Sequence, residues 1–187
     1  MSMNELYEAV RAGDTARVEA IVKADPGLTF FAAVMQGDTA KVEDMLAANR
    51  SQVSAMSPDG WTPLHLAAFF GREETARALL NKGASPGARS TNAMQNLPLH
   101  AAAAGRHNKI AKLLIDHGAP VDARQHGGWT ALHAAALHGD IELAGMLIAA
   151  GARLDERADN NQCALDLALT KGQQQMVELL EKHGASL

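Results

Sequence analysis

Eight histidines and one cysteine are the residues of this 187-residue chain whose types suit metal binding or nucleophilic chemistry. Their spacing argues against both. His65, His100 and His133 each follow a leucine in TPLHLAAF, LPLHAAAA and TALHAAAL, so they recur because the architecture recurs. His117 and His183 each precede a glycine that ends a helical pattern, where an imidazole meets helix carbonyls and the negative end of the dipole. His107 falls just inside a helical stretch. His126 and His138 have no such explanation, yet two ligands are fewer than the three or four that zinc takes. The expectation is therefore no metal and no cofactor. A small-molecule or metal-dependent activity at a pocket near His126, His138 and Arg124 stands as the alternative. Cys163 takes the place of the threonine in the TPLH turn, with no assignable base, and reads as an inert, half-buried thiol. The acidic pairs Glu73–Glu74 and Asp155–Glu156 are sequence neighbours on solvated stretches, and no Gly-rich phosphate loop is present. No catalytic residue is assigned, and the chain is read as a non-enzyme.

Charge and composition exclude further classes. A formal net charge of −4 argues against nucleic acid as the partner. The charge is unevenly spread: residues 58–124 carry 8 basic and 5 acidic side chains, a local excess of +3. The lone cysteine excludes an internal disulfide. The start, MSMNELYEAVRAGD, lacks a basic region followed by an apolar run, and no stretch of about 18 apolar residues occurs. A cytoplasmic chain, not bound to membrane, is expected.

The elements that must position these residues are repeats. The first leucine of each copy falls at Leu64, Leu99, Leu132 and Leu165, in steps of 35, 33 and 33. A fixed period of this size means stacked units, none of which can bury its apolar face alone. Aromatics are only 4% of the chain, and Ala with Leu dominate, which suits thin helix-on-helix layers. In the best-formed unit, Thr62 is placed to cap a first helix and Pro63 to pre-set its φ; Gly71 breaks it and Gly83 ends a second helix. AVRAGDTARVEAIV and AVMQGDTAKVEDML extend the pattern toward the N-terminus, but Gly13 and Gly37 are only 24 apart, so no connecting finger fits between them. The unit after Arg89 departs from the frame. Ser90–Thr91 are extra, Gln95 stands where the turn glycine belongs, and Arg106 holds the usual inter-helix glycine position. A distorted or mobile finger is expected over 89–96.

Four registered copies carrying T-P-L-H-x-A, DGWTPLHLAAFFG above all, closely resemble the ankyrin repeat family. The resemblance implies an all-α solenoid of stacked helix-turn-helix units with β-hairpin fingers. Here that means one domain over 1–187, with units of about 4–27, 28–57, 58–91, 92–124, 125–157 and 158–187. The first unit lacks TPLH and the last carries Gln173, Gln174 and Gln175, so both ends are expected to be capped. The resemblance further implies that His65 hydrogen-bonds within and between turns, and that partners dock on the concave face formed by first helices and finger tips. Carried over by position, that face includes Trp61, Phe69, Phe70, Arg89, Met94, Asn96, Arg124, His126, Trp129, Leu137 and His138. Tryptophan and arginine dominate binding hot spots. The expected function is protein–protein interaction by a monomer, as adaptor or inhibitor of an unidentified partner protein. Packing of Phe69–Phe70 on the preceding unit, and bracing of the fingers by the tryptophans, is the competing structural role.

Overall fold

The computed structural model describes residues 3–186; Met1, Ser2 and Leu187, which the single-domain reading includes, lie outside the described residues. Twelve α-helices follow one another in pairs among the described residues: α1 (Met3–Ala12) and α2 (Thr15–Ala24), α3 (Thr29–Gln36) and α4 (Thr39–Ala48), α5 (Pro63–Phe69) and α6 (Glu73–Asn81), α7 (Pro98–Gly105) and α8 (Asn108–Asp116), α9 (Ala131–His138) and α10 (Ile141–Ala149), α11 (Ala164–Thr170) and α12 (Gln174–Lys182). Local chemistry sets their ends. The carboxylates of Asp14, Asp38 and Asp140 accept the backbone N–H of Arg17, Lys41 and Leu143, capping α2, α4 and α10. Thr62 and Thr130 cap α5 and α9 in the same way.

The pairs stack into two layers. First helices pack in series, α5 on α7, α7 on α9 and α9 on α11, and second helices run beside them, α6 on α8, α8 on α10 and α10 on α12. Between the layers lie Leu64, Leu66, Leu79, Leu99, Ile110, Leu114, Leu132, Leu143 and Leu147, all fully buried. Alanines such as Ala67, Ala68, Ala102 and Ala136 let neighbouring helices approach.

Histidine ties each unit to the next. The Nδ1 of His65 accepts from Thr62, whose Oγ1 lies 2.7 Å away, while its Nε2–H donates to the Asn96 carbonyl at 3.0 Å. His100 reaches the Ala123 carbonyl at 3.0 Å and His133 the Gln162 carbonyl at 3.1 Å. A carbonyl can only accept, so the proton sits on Nε2 and each ring is neutral. In the last unit Asp166 replaces the imidazole. It accepts from the Cys163 N–H at 2.9 Å, which with the thiol and Arg157 holds its carboxyl below the usual range, and Arg157 extends the link to the Asn161 carbonyl at 2.7 Å. A second set of ties caps first-helix carbonyls: Arg72 Nε donates to Met35, His107 Nε2 to Phe69 and Gln173 Nε2 to Leu137.

The fingers differ from the expected β-hairpins. No strand forms among the described residues; each finger is closed across its base by one backbone bond, Ser57 to Trp61, Ser90 to Asn96, Gln125 to Trp129 and Ala158 to Gln162, and across its turn by another, Gly60 to Ser57, Gln95 to Asn92, Gly128 to Gln125 and Asn161 to Ala158. Single bonds between successive fingers, Thr91 to Gly60, His126 to Met94 and Asp159 to Gly127, stitch the row without making a ladder. The irregular finger is fastened by polar contacts. Asn92 Nδ2 donates to the Asp59 carbonyl at 3.1 Å, Asn92 Oδ1 accepts from Ser90 and Met94, and Arg89 bridges the carbonyls of Gln95 and Arg124 at 2.6 and 2.8 Å.

Two outcomes follow for stability. Leu99→Ala or Leu132→Ala should lower the unfolding free energy by roughly 2–5 kcal/mol, seen as a lower denaturant midpoint; a loss well under 1 kcal/mol would contradict the core placement. Burial also pushes His65 and His100 from 6.5 down to about 4 and lowers His133. The unfolded chain then binds protons that the folded chain refuses. Stability is complete above about pH 6.5 and falls as pH drops toward 4. Melting temperatures that do not fall across this window would overturn the neutral-imidazole assignment.

Candidate functional site

One groove of about 350 Å³ opens across the first helices of the middle units. Its origin is a side-chain deletion written in the repeat. Where α5 carries Leu66 and Phe69, α7 carries Ala101 and Ala104, and the missing volume becomes a depression between aromatic walls. Trp61 and Phe69 line one side, Trp129, Leu137 and His138 the other. Met94, Asn96 and Gln125 come from the fingers, with Ala134 and the edge of buried His100 completing the lining. No carboxylate lines it.

The walls are rigid because they are packed from behind. Phe69 meets Trp61 edge-on at 5.2 Å, and Trp61 stacks on His65 at 5.9 Å. Trp129 leans on His133 at 5.6 Å. Behind the Trp61 wall, Phe70 packs on Tyr7 at 5.5 Å, and the Arg11 guanidinium lies over the Phe69 and Phe70 rings at 5.2 and 5.8 Å. Tyr7 donates its hydroxyl to Asp59. Burial, and then the Asp59 carboxylate, raise the phenol far above its ordinary value, so it stays a donor. No finger joins the first two units, and this aromatic latch from α1 to the third unit stands in its place.

Seven of the eleven expected site residues share the groove: Trp61, Phe69, Met94, Asn96, Trp129, Leu137 and His138. Four lie outside it. Phe70 belongs to the latch, Arg89 spans two finger carbonyls, and Arg124 pairs with Asp159 at 3.0 Å and Glu156 at 3.7 Å. His126 joins the row of fingers through its backbone N–H to Met94, with its side chain in solvent. Thus His126 and Arg124 do not join His138 in one pocket, and among the described residues no three His, Cys, Asp or Glu side chains gather as metal ligands. Cys163 is almost fully buried rather than half-buried. Sequence reasoning missed Ala101, Ala104 and Gln125 in the groove, and Tyr7 and Arg11 behind it. The alanine run 101–104 was the available signal.

Two polar atoms of groove residues are buried without a hydrogen-bond partner among the described residues: the Trp61 indole Nε1 and Asn96 Oδ1. Asn96 is only 6% exposed. Unpartnered buried polar atoms are uncommon, and three more, Gln52 Oε1, Asn108 Oδ1 and Gln173 Oε1, lie outside the groove lining.

Comparison with known proteins fits this architecture. The family model described as ankyrin repeats (3 copies) matches residues 6–90, 30–125, 87–159 and 121–187. Mouse Rabankyrin-5 is 48% identical over 59 residues, covering 32% of this chain and 5% of that protein. Human neurogenic locus notch homolog protein 4 is 43% identical over 74 residues, 39% of this chain and 4% of its own length. A putative ankyrin repeat protein of Rickettsia felis is 38% identical over 80 residues, 43% of this chain and 34% of its own. The chain thus spans a small part of the length of these relatives.

The latch has a measurable consequence. Tyr7→Phe removes a hydrogen bond to a carboxylate and should destabilise by about 1.5–3 kcal/mol. Amide exchange should accelerate first in α1 and α2; unchanged exchange there would show that the first unit is held by other contacts.

Proposed function

We propose that this chain, which belongs to the ankyrin repeat family, is a non-catalytic module that holds a partner protein in the groove between Trp61 and Trp129. The observation that carries this reading is the groove itself. It is an apolar, aromatic-walled depression on a rigid stack, free of carboxylates, with its floor supplied by Ala101, Ala104 and Ala134. Such a surface suits an inserted apolar side chain ringed by drier contacts, the arrangement of a binding hot spot. The alternative of chemistry at His126 and His138 gains no support, because the two do not share a pocket and His100 beneath the groove is neutral and already bonded on both nitrogens.

The proposed binding unit is a single domain of six helix pairs acting as a monomer, with no nucleic acid or membrane partner. Among the described residues no helix is long and apolar enough to cross a membrane. Acting as a binding module, it would position its partner or block it, as adaptor or inhibitor.

The test is capture of proteins from the native cell extract on wild-type chain and on Leu137→Arg and Trp129→Ala variants whose folding is verified by circular dichroism and melting. A protein retained by wild type and lost by both folded variants is the expected result. Equal retention by all three would place binding away from the groove.

A further inference from the structure

Unit four holds two long side chains at backbone positions that are otherwise filled by residues tolerant of a left-handed conformation. At the finger turn, Gly60, Gly128 and Asn161 have φ of 82°, 74° and 64°, and Gln95 has φ of 47°. At the inter-helix turn, Gly71, Gly139 and Gly172 have φ of 71°, 64° and 66°, and Arg106 has φ of 57°. Side chains with a Cβ are strained there, and Gln or Arg lacks the short local hydrogen bonding that helps Asn. Both are exposed, and neither side chain has a hydrogen bond or ion pair among the described residues. Three arginines around the groove, though none lines it, are engaged: Arg11 over two rings, Arg89 on two carbonyls, Arg124 with two carboxylates. Strain kept at a place where the fold gains nothing from the side chain points to use by a ligand.

The positions also fit the groove. Gln95 lies between the groove residues Met94 and Asn96, before α7; Arg106 lies two residues beyond the groove residue Ala104, at the other end of α7. An eight-residue helix is roughly 12 Å long, the reach of about four extended residues. The lining carries no carboxylate, and its seven residues from Trp61 to Ala104 fall in the segment 58–124 with its local excess of +3.

We propose that the groove takes an extended acidic peptide segment of the partner, laid along α7, with an apolar side chain over Ala101 and Ala104 and an aspartate or glutamate paired with Arg106. This rests on the groove reading above and adds the partner's chemistry and direction. The Arg106 guanidinium is then the specificity element, retained in spite of a left-handed backbone.

The test pairs two readouts of opposite sign on the full-length chain. A random peptide library of about twelve residues displayed on phage is selected on wild-type protein. The strongest peptides are then measured by fluorescence anisotropy on wild type, Arg106→Gly, Arg106→Asn and Leu137→Arg at low and high salt. Enriched peptides should carry Asp or Glu within about four positions of an apolar residue. Arg106→Gly should raise the melting temperature, yet weaken binding roughly three- to tenfold and flatten its salt dependence. Arg106→Asn should do the same to binding. Enrichment without acidic residues, binding indifferent to Arg106, or a lower melting temperature for Arg106→Gly would overturn the proposal. If Leu137→Arg still abolished that binding, the groove reading would survive without it. No enrichment, or binding indifferent to Leu137→Arg as well, would overturn both.

Discussion

The neutral imidazole bridging each first helix to the following finger is the interaction on which the rest of this structure depends. His65, His100 and His133 accept on one nitrogen from their own helix N-terminus and donate with the other to a carbonyl downstream. Each ring therefore closes a helix start and fixes the next finger in a single step. Burial keeps the proton count fixed at neutral pH, so the ties are not lost to charging. The fingers held this way, like the 57–61 finger that no histidine reaches, each carry one backbone bond across the base and one across the turn. In the last unit the Asp166–Arg157 pair instead ties the start of α11 back to its own preceding finger at the Asn161 carbonyl.

Above this framework the groove is a consequence of small side chains, Ala101 and Ala104 in unit four and Ala134 in unit five. The repeat supplies a slot for a large residue at Leu66 and Phe69, and unit four leaves it empty with Ala101 and Ala104. The walls on either side cannot collapse into the space because they are braced, Trp61 and Phe69 through His65 and the Tyr7 latch, Trp129 through His133. Rigid walls around an apolar floor limit the entropy lost on binding. The same unit also carries the extra finger residues and both strained side chains. Departure from the repeat is thus concentrated where the surface is concave.

Much of this was legible in the sequence, for a physical reason. The 33-residue period fixes which residues face the next unit, so helix pairs and turn glycines follow from spacing, while the hydrogen-bonding role of His65 followed from the resemblance to ankyrin repeats. Gln95 and Arg106 could be recognised as misplaced, though their side chains' freedom could not. Contacts between units separated by many residues were not legible. Tyr7 and Asp59 are 52 positions apart, and only the stacking of α1, α3 and α5 brings them together. Arg89 and Arg124 read as free binding residues because their acceptors, finger carbonyls and acids of the next unit, have no local signature. Asn96 was placed on the exposed face, yet its side chain is buried while its carbonyl serves His65. The hairpin expectation failed because each finger has one bond across its base and one across its turn, too few for a ladder.

The central claim is that partners occupy the groove over α7. Hydrogen–deuterium exchange of the chain, alone and saturated with a captured partner, tests it most directly. The account requires slowed exchange in the finger over 94–97 and in first helices α7 and α9, with second helices α6, α8 and α10 little changed. Protection confined to the second helices, with 94–97, α7 and α9 unaffected, would contradict it.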